Sequence, residues 1–206
     1  MKEIDNKKNC LNIYNFLELL INNELDEAFI KDYLISMYKR GITAEELYET
    51  VIFLRRHSKK VDHGTNFALD TCGTGGDGKK TINISSAVSI VLSTLGYPVL
   101  KHGNHSRSGL LGSADIFKEI GIKIDLEGDS AKKYFNKHNF LFLYAPKYQL
   151  AMHKVKEIRK RLNHPTIFNY VGPLINPGNP NFQIIGVPNT VSLKMYTETA
   201  SKFKEN

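Results

Sequence analysis

A glycine-rich run is the first feature of this sequence that could do chemistry. It reads Asp70-Thr-Cys-Gly-Thr-Gly-Gly-Asp-Gly-Lys-Lys-Thr81, with four glycines within six positions. Glycines let successive backbone N–H groups converge on an anion, and a helix predicted to begin near Ser85 points further N–H groups the same way. The polar side chains that can complete this shell are Thr81, Asn83, Ser85 and Ser86. The run therefore predicts a phosphate-binding loop, with a simple tight turn as the alternative.

Neither of two standard phosphate motifs describes this run. The dinucleotide fingerprint is matched by Gly73, Gly75 and Gly78, but no helix opens inside it and no acidic residue lies between residues 78 and 114. The nucleotide P-loop pattern requires Ser or Thr after its lysine, and Lys80 stands there instead. The phosphate loop is therefore of another kind.

A second polar loop covers residues 101–109 and follows the next predicted strand. Because parallel strands end at the same edge of a sheet, we expect both loops to lie side by side at that edge. Lys101 and Arg107 can hold phosphate oxygens, and Asn104 can donate and accept hydrogen bonds. His102 and His105 are three residues apart, but no set of Cys, Asp or Glu ligands accompanies them, which argues against a metal site.

Alternating strands and helices must position these loops. Residues 1–66 show only helical spacing of apolar residues, with a capping box at Thr43 and Glu46. Strands are predicted at residues 67–70, 98–100, 122–126, 140–144 and 183–187. Helices are predicted from about residue 85 to 95, over 113–120, 129–138 and 149–162, and after Asn189. The expected fold class is α/β: a small N-terminal helical domain (1–66) and a mostly parallel α/β domain (67–206) that looks C-terminally truncated, because it ends inside its last helix pattern.

Composition narrows the functional classes. The 206 residues are 41% hydrophobic and 24% charged, as in soluble globular proteins. Two cysteines, Cys10 and Cys72, make no disulfide framework, and no secretion signal or membrane span is present, so we expect a cytoplasmic protein. The net charge is +7, and its whole excess lies in residues 67–206. Such a field suits a phosphorylated small molecule or nucleic acid.

Six motifs in register resemble one known family. They are Gly73-Thr-Gly-Gly-Asp-Gly78, Thr81-Ile-Asn-Ile-Ser-Ser86, Lys101-His-Gly-Asn104, Gly112-Ser-Ala-Asp115, Ile167-Phe-Asn169 and Gly172-Pro-Leu-Ile-Asn-Pro177. Together they resemble the anthranilate phosphoribosyltransferases of tryptophan biosynthesis. The related pyrimidine nucleoside phosphorylases share the fold, but their KHSTGGVGDK-like run is missing here.

The resemblance implies Mg²⁺-dependent transfer of a phosphoribosyl group from 5-phosphoribosyl 1-diphosphate to the amino group of anthranilate, with release of diphosphate. By position, the donor contacts would be Gly73, Gly76, Asp77, Thr81, Asn83, Ile84, Ser85, Ser86, Lys101, His102, Gly103, Asn104, His105, Ser106, Arg107, Ser108, Gly109 and Ser113. Gly73, Asn104 and Arg159 would hold anthranilate, and Ser85 would ligate Mg²⁺. Because anthranilate is already a nucleophile, no general base is assigned.

The resemblance also implies a homodimer through the helical domain. The apolar stripes over residues 11–21 and 47–54 suit that interface, but they would equally suit the core of the domain itself. No membrane partner is expected.

Two kinds of departure separate this chain from the family pattern. His105 stands where the family has Arg and Gly109 where it has Ser, which removes two potential donors to the substrate and predicts weaker affinity, with Arg107 compensating in part. The family's Asp-Glu pair that binds Mg²⁺ has no counterpart here. We therefore expect the N-terminal part of the enzyme: a fragment, a truncated gene product, or half of a split enzyme with a complementary C-terminal chain. Its shortened sheet should expose apolar surface.

Two other functions remain open from the sequence. One is a non-catalytic relative that binds nucleic acid through its basic α/β part, although the retained donor-site motifs argue against it. The other is an enzyme like the pyrimidine nucleoside phosphorylases. Salt-dependent DNA binding would favour the first, and phosphate-dependent cleavage of a nucleoside the second.

Overall fold

The computed structural model describes residues 11–74, 82–106, 111–153 and 155–203. Three helices open the chain: α1 (Ile13–Ile21), α2 (Glu27–Arg40) and α3 (Ala44–Arg56). The predicted capping box of α3 is confirmed, since Thr43 Oγ1 accepts from the Glu46 backbone and the Glu46 carboxylate accepts from Thr43. Gly41 ends α2 with a φ of 86°, a conformation that favours glycine.

Four parallel strands form the sheet. They are β1 (Leu69–Gly73), β2 (Val99–Gly103), β3 (Phe140–Tyr144) and β4 (Phe182–Gly186), in the order β3-β2-β1-β4. The register pairs Leu69 with Val99 and Gly73 with Gly186. The predicted parallel α/β sheet is therefore confirmed, with β1 in a central position and β4 at one edge.

Three further helices follow the first strands. They are α4 (Ile84–Thr94), α5 (Ser113–Glu119) and α6 (Gly128–His138). The prediction of a strand over 122–126 is wrong, because this segment pairs with no described strand. Ile122 and Ile124 pack instead against the cluster around Phe117 and Phe140. The alternation of apolar and polar residues over 122–126 therefore reflects partial burial of every second side chain, and not the pairing of a strand.

The basic helix predicted over 149–162 is broken into short pieces. The structure has α7 (Ala145–Tyr148), a 3₁₀ turn (Leu150–His153) and α8 (Lys156–Arg161). Gln149 leaves helical geometry, and its buried side-chain amide donates to the carbonyl of Ile175 at 2.6 Å. Two 3₁₀ turns (Ile167–Asn169, Gly172–Leu174) lead to β4 and to the last helix, α9 (Thr190–Lys202). Asn189 caps α9 as predicted.

The largest core cluster joins the N-terminal helices to later parts of the chain. Phe16 of α1, Leu34 of α2 and Phe53 of α3 share it with Phe168 and with Tyr196 of α9. The apolar stripes of α1 and α3 are thus buried within the chain itself. The division at residue 66 stays a prediction, and helices from both sides of it contribute to one core. No helix in the described ranges combines the length and the apolar character that a bilayer crossing requires.

Candidate functional site

The two polar loops leave neighbouring strands at the same edge of the sheet. Gly73 ends β1 and Gly103 ends the adjacent β2, and both strands run in the same direction. The segments that follow the two loops touch one another, because the side-chain amide of Asn83, just before α4, donates to the carbonyl of Leu111, just before α5, at 2.7 Å. The expected juxtaposition at the carboxyl edge, where parallel α/β sheets bind ligands, is therefore present.

The first turn of α4 forms one wall of this edge. Its backbone is tied to β1, since Thr71 Oγ1 donates to the Ser85 carbonyl at 2.8 Å. Ile84 is exposed, Ser85 is half-buried, and Ser86 is buried with no recorded partner for its Oγ in the described structure. The N-terminal turn of a helix presents N–H groups and positive dipole character to an anion. The first turn of α4 thus offers its positive dipole end and the half-buried hydroxyl of Ser85 to an anion, whereas the N–H groups of Ile84 and Ser86 already donate to the carbonyls of Ile82 and Asn83.

Lys101 lies beneath the edge and not on its surface. Its side chain is 2% exposed, and its ammonium donates to the Thr71 carbonyl at 2.5 Å and lies 3.4 Å from Ser85 Oγ. Burial lowers the pKa of Lys101, partly offset by the charge of Asp70. The cation therefore sits between β2, β1 and the start of α4, where its field adds to that of the helix terminus.

Asp115 organises the second loop. Its carboxylate accepts from the backbone of Gly112 at 2.7 Å and of Ser106 at 3.3 Å, and it also contacts the His105 ring. The hydrogen bond with His105 and that from Gly112 lower the pKa of Asp115. His105 thus pairs with an acid on α5, the helix that follows its loop. Asn104 is exposed at the edge, and its Oδ1 accepts from the His105 backbone at 2.8 Å.

Two glycines allow the second loop to pack tightly on α5. A Cβ at Gly103 would lie 2.2 Å from Ser113 Oγ, and one at Gly112 would lie 2.3 Å from the Ser106 nitrogen. Ser113 Oγ in turn donates to the Asn104 carbonyl at 3.4 Å. Predicted donor contacts Gly103, Asn104, Ser106 and Ser113 are therefore brought together here.

His102 points to the opposite face of the sheet from Lys101. It is 9% exposed, and burial lowers its pKa to about 4, so the imidazole is neutral at pH 7. Its ring hydrogen bonds to the backbone of Gly172, while its Nε2 is buried with no partner in the described structure. The expected contact with the donor stays a prediction for this residue.

A buried polar network on that face is a part of the site that the sequence did not indicate. Asn176 donates to Asp70 Oδ2 at 2.9 Å and to the Leu100 carbonyl at 2.7 Å, and Gln183 donates to the same Asp70 oxygen at 2.8 Å. Burial raises the pKa of Asp70, and the hydrogen bonds from Asn176 oppose this shift. The network fixes the turn at residues 172–177 to β1 and β2. The only sequence signal was the Pro- and Gly-rich turn that contains Asn176.

Arg159 lies on α8, apart from the two loops in sequence. One terminal nitrogen donates to the Phe168 carbonyl at 3.2 Å, and its guanidinium carbon lies 5.6 Å from the centre of the Phe168 ring. The aromatic ring and the carbonyl hold the guanidinium in place, as a carboxylate-binding arginine would require.

Six predicted donor residues fall outside the described part of the chain: Gly76, Asp77, Thr81, Arg107, Ser108 and Gly109. Within the described ranges, no group of three His, Cys, Asp or Glu side chains could hold a metal ion. Ser85, the predicted Mg²⁺ ligand, lies beside the ammonium of Lys101. A hard cation requires oxygen ligands, and an adjacent positive charge opposes it, so these residues alone do not fit a magnesium site.

Known proteins resemble this chain in sequence and in structure. It is 45% identical over 174 residues to the anthranilate phosphoribosyltransferase of Methanococcus maripaludis, a match that covers 84% of this chain and 53% of that protein. The corresponding protein of Caldicellulosiruptor saccharolyticus is 42% identical, with 84% and 52% covered. The chain thus spans about half the length of these curated relatives.

Solved structures of anthranilate phosphoribosyltransferases are also similar to this chain. The crystal structure of anthranilate phosphoribosyltransferase from Thermus thermophilus superimposes with a TM-score of 0.85 at 28% identity, covering 92% of this chain and 58% of the other. The Saccharomyces cerevisiae enzyme in complex with PRPP and Mg gives 0.80 at 30% identity, covering 92% and 55%. The family model described as "Glycosyl transferase family, a/b domain" matches residues 65–206, the region that contains the sheet and both loops. This match extends over more than half of the sequence, and the chain therefore belongs to the glycosyl transferase family through its α/β domain.

Proposed function

We propose that this chain supplies the donor-binding part of an anthranilate phosphoribosyltransferase. The observation that carries the proposal is that two polar loops leave adjacent strands at one carboxyl edge, with the segments that follow them joined by the bond from Asn83 to Leu111. The names of the relatives support the reaction: transfer of the phosphoribosyl group of 5-phosphoribosyl 1-diphosphate to the amino group of anthranilate.

The chain's contribution is to bind and orient, and to stabilise negative charge. The first turn of α4 and the buried ammonium of Lys101 form a fixed positive field for the diphosphate of the donor. Asn104 presents its side chain at the edge, where it can orient the reactants. Arg159 is proposed to pair with the carboxylate of anthranilate. As the amine attacks C1 of the ribose, the bond to diphosphate breaks, and the amine then loses a proton to solvent.

We propose no catalytic step in which the residues of this chain alone hold magnesium. The yeast relative was solved with Mg, but the described residues of this chain do not fit a metal site on their own. We propose that oxygen ligands for Mg²⁺ come from the donor and from the part of the family's length that this chain does not match.

An exposed apolar face indicates that the chain needs the part of the family fold that it does not match. Along α4 and its C-cap, four apolar residues recur at helical spacing and are 38 to 68% exposed: Ile84, Val88, Val91 and Leu95. Ile184 of β4 is 70% exposed and is paired in register with Thr71, which contacts α4, so it lies on the same face of the sheet. We call these five residues the α4/β4 face. We propose that the unmatched half of the family fold, as a complementary chain or segment, covers it.

We also propose how the chain assembles and where it is located. A homodimer is retained from the family resemblance, but the apolar stripes of α1 and α3 are buried in the chain's own core and are not available for it. The interface would therefore use other residues of the helical part. A cytoplasmic location is proposed from the similarity to a family of biosynthetic enzymes.

The test is an assay of N-(5-phosphoribosyl)anthranilate formation by the full chain, alone and with a separately produced segment. The segment is the part of the Methanococcus maripaludis relative that the chain does not match. We expect donor binding by the chain alone and turnover only with the segment. Turnover at the full rate without the segment would contradict the need for a partner, and no donor binding or turnover in either mixture would contradict the function.

Two serine variants on α4 test whether the donor binds at the start of this helix. Ser85→Ala removes the hydroxyl beside Lys101, and we expect donor binding about tenfold weaker. Ser93→Ala, at the other end of the same helix, removes a hydroxyl that bonds only locally to the Ile90 carbonyl, and should leave binding unchanged.

A further inference from the structure

A second polar cleft lies at the amino edge of the sheet, opposite the donor loops. It has a volume of about 540 Å³ and is lined by the segment before β1 and the turn before β4, including Asn66, Asn179 and Asn181. Five-residue strands separate the two edges by roughly 15 Å. The cleft is therefore distinct from the candidate site, and its volume is in the range of pockets that hold small metabolites.

The charge of this cleft is one-sided. Arg55 and Lys60 line it, and no Asp or Glu does. Neither cation forms an ion pair with a carboxylate in the part of the chain that the structure describes. Burial lowers the pKa of Arg55, and no acidic neighbour opposes the shift. A half-buried guanidinium without a counter-ion carries a desolvation cost that a bound anion would offset.

Arg55 is held rigidly in the cleft wall. Its Nε donates to the Leu174 carbonyl at 2.7 Å, and its guanidinium carbon lies 4.8 Å from the centre of the Phe203 ring. The donors that remain for a ligand are its two terminal amino groups, which form the fork that matches phosphate oxygens. Lys60 Nζ donates to the backbone carbonyl of Arg55 at 3.0 Å, which holds the ammonium beside the main chain of Arg55, and both residues line the same cleft.

Neutral polar groups also line the cleft. Asn181 accepts from the Ala68 backbone at 2.9 Å through its Oδ1, which directs its amino group away from that bond, whereas the Ser58 hydroxyl already donates to the Arg55 carbonyl at 3.0 Å. Asn66 and Asn179 are exposed at the cleft. Amide and hydroxyl groups suit the hydroxyls of a sugar or polyol.

We propose that this amino-edge cleft binds a small phosphate ester, with Arg55 and Lys60 holding the phosphate and the asparagines contacting its polar body. The site is separate from the proposed catalytic edge and does not depend on it. It gives the chain a second anion site, formed by the end of α3, the connection from α3 to β1 and the turn before β4.

Residue-resolved NMR of the isotopically labelled full chain tests this. Inorganic phosphate and ribose 5-phosphate are titrated separately at constant ionic strength. We expect saturable amide shifts at Asn66 and Asn181, distinct from any shifts at Asn104 on the carboxyl edge. Ribose 5-phosphate should bind more tightly than inorganic phosphate, and equal affinities would contradict the proposed contact between the asparagines and the body of the ester.

Three variants complete the test. Arg55→Met and Lys60→Met should each weaken the amino-edge binding at least about tenfold. Arg56→Met changes the same charge one residue along, at a side chain that contacts Tyr14 and does not line the cleft, and should bind as the unaltered chain does. Lys60 is exposed, so its variant should fold even if Arg55→Met does not. No amino-edge shifts, or shifts that persist unchanged in Lys60→Met, would overturn the proposal.

Discussion

Burial determines the protonation and the contacts of the titratable side chains at the start of the second polar loop. Lys101 and His102 are adjacent in sequence, yet they point to opposite faces of the sheet and both are buried. Lys101 joins β2 to β1 and α4 through its ammonium. His102 packs against the turn at Gly172 as a neutral ring. Asn104, two residues further, is the one that reaches the exposed edge.

His102 should make stability fall as the pH is lowered. Its pKa of about 4 in the folded chain lies below the usual 6.5, so the unfolded state binds more protons between these values. Folding stability is therefore lost from pH 6.5 down to pH 4, by up to about 3 kcal/mol. Urea unfolding at pH 7 and pH 4.5 measures this. His102→Gln should flatten the profile, whereas His153→Gln, an exposed control, should not; parallel profiles for His102→Gln and the unaltered chain would contradict the assignment.

Elements with local signals are the ones that sequence predicts well. The Thr43 capping box, the Asn189 cap and the strand over residues 140–144 follow from residues near one another in the chain. The adjacency of the two loops was also predictable, because parallel strands share an edge. The strand expected at 122–126 and the long helix expected at 149–162 fail, because burial of Ile122 and the bond from Gln149 to Ile175 depend on distant partners.

The same reason explains what was missed in the site. The pairing of β2 with β1 decides the direction in which the Lys101 side chain points. The residues near Lys101 in the sequence carry no information about that pairing. Asp70 and Asn176 are 106 residues apart, and Asp70 and Gln183 are 113 apart, so their network has no local signature.

Gly112→Ala should disrupt the junction between the second loop and α5. The added Cβ would lie 2.3 Å from the Ser106 nitrogen and 2.6 Å from the Asn104 carbonyl oxygen, and backbone atoms cannot rotate away. We expect a loss of about 1–3 kcal/mol in urea unfolding and shifted amide signals at Asn104 and Ser106. Gly172→Ala, where a Cβ meets open space, is the matched control. Equal stability of the two variants would show that the loop relaxes freely.

At the scale of the whole molecule, the sheet has one covered and one exposed flank. β3, at one edge, is largely buried and packs against α6 and α7, whereas β4, at the other edge, has Phe182 and Ile184 more than half exposed. An exposed apolar edge strand beside an apolar helix stripe favours association with another chain. The chain's match to about half the length of its relatives is consistent with this exposure.

Charges on the α4/β4 face should therefore reduce self-association of the chain. Val91→Lys with Ile184→Lys places two like charges on that face without touching the buried core. We expect sedimentation velocity to show less concentration-dependent association than for the unaltered chain. Ile120→Lys, which charges an exposed apolar residue at the end of α5, should change association little. If both variants associate equally, the face is not the contact surface.

The position of β1 between β2 and β4 also dictates an order of folding. β2 and β3 can pair as soon as residue 144 has been synthesised, because their sequences are close together. β1 gains its second neighbour only when β4 arrives, with Asp70 and Gln183 separated by 113 residues. Long-range pairing of this kind is slow, since loop closure precedes any gain from contact. On a ribosome, the strand that leads into the glycine-rich loop would wait, half-paired, until β4 emerges.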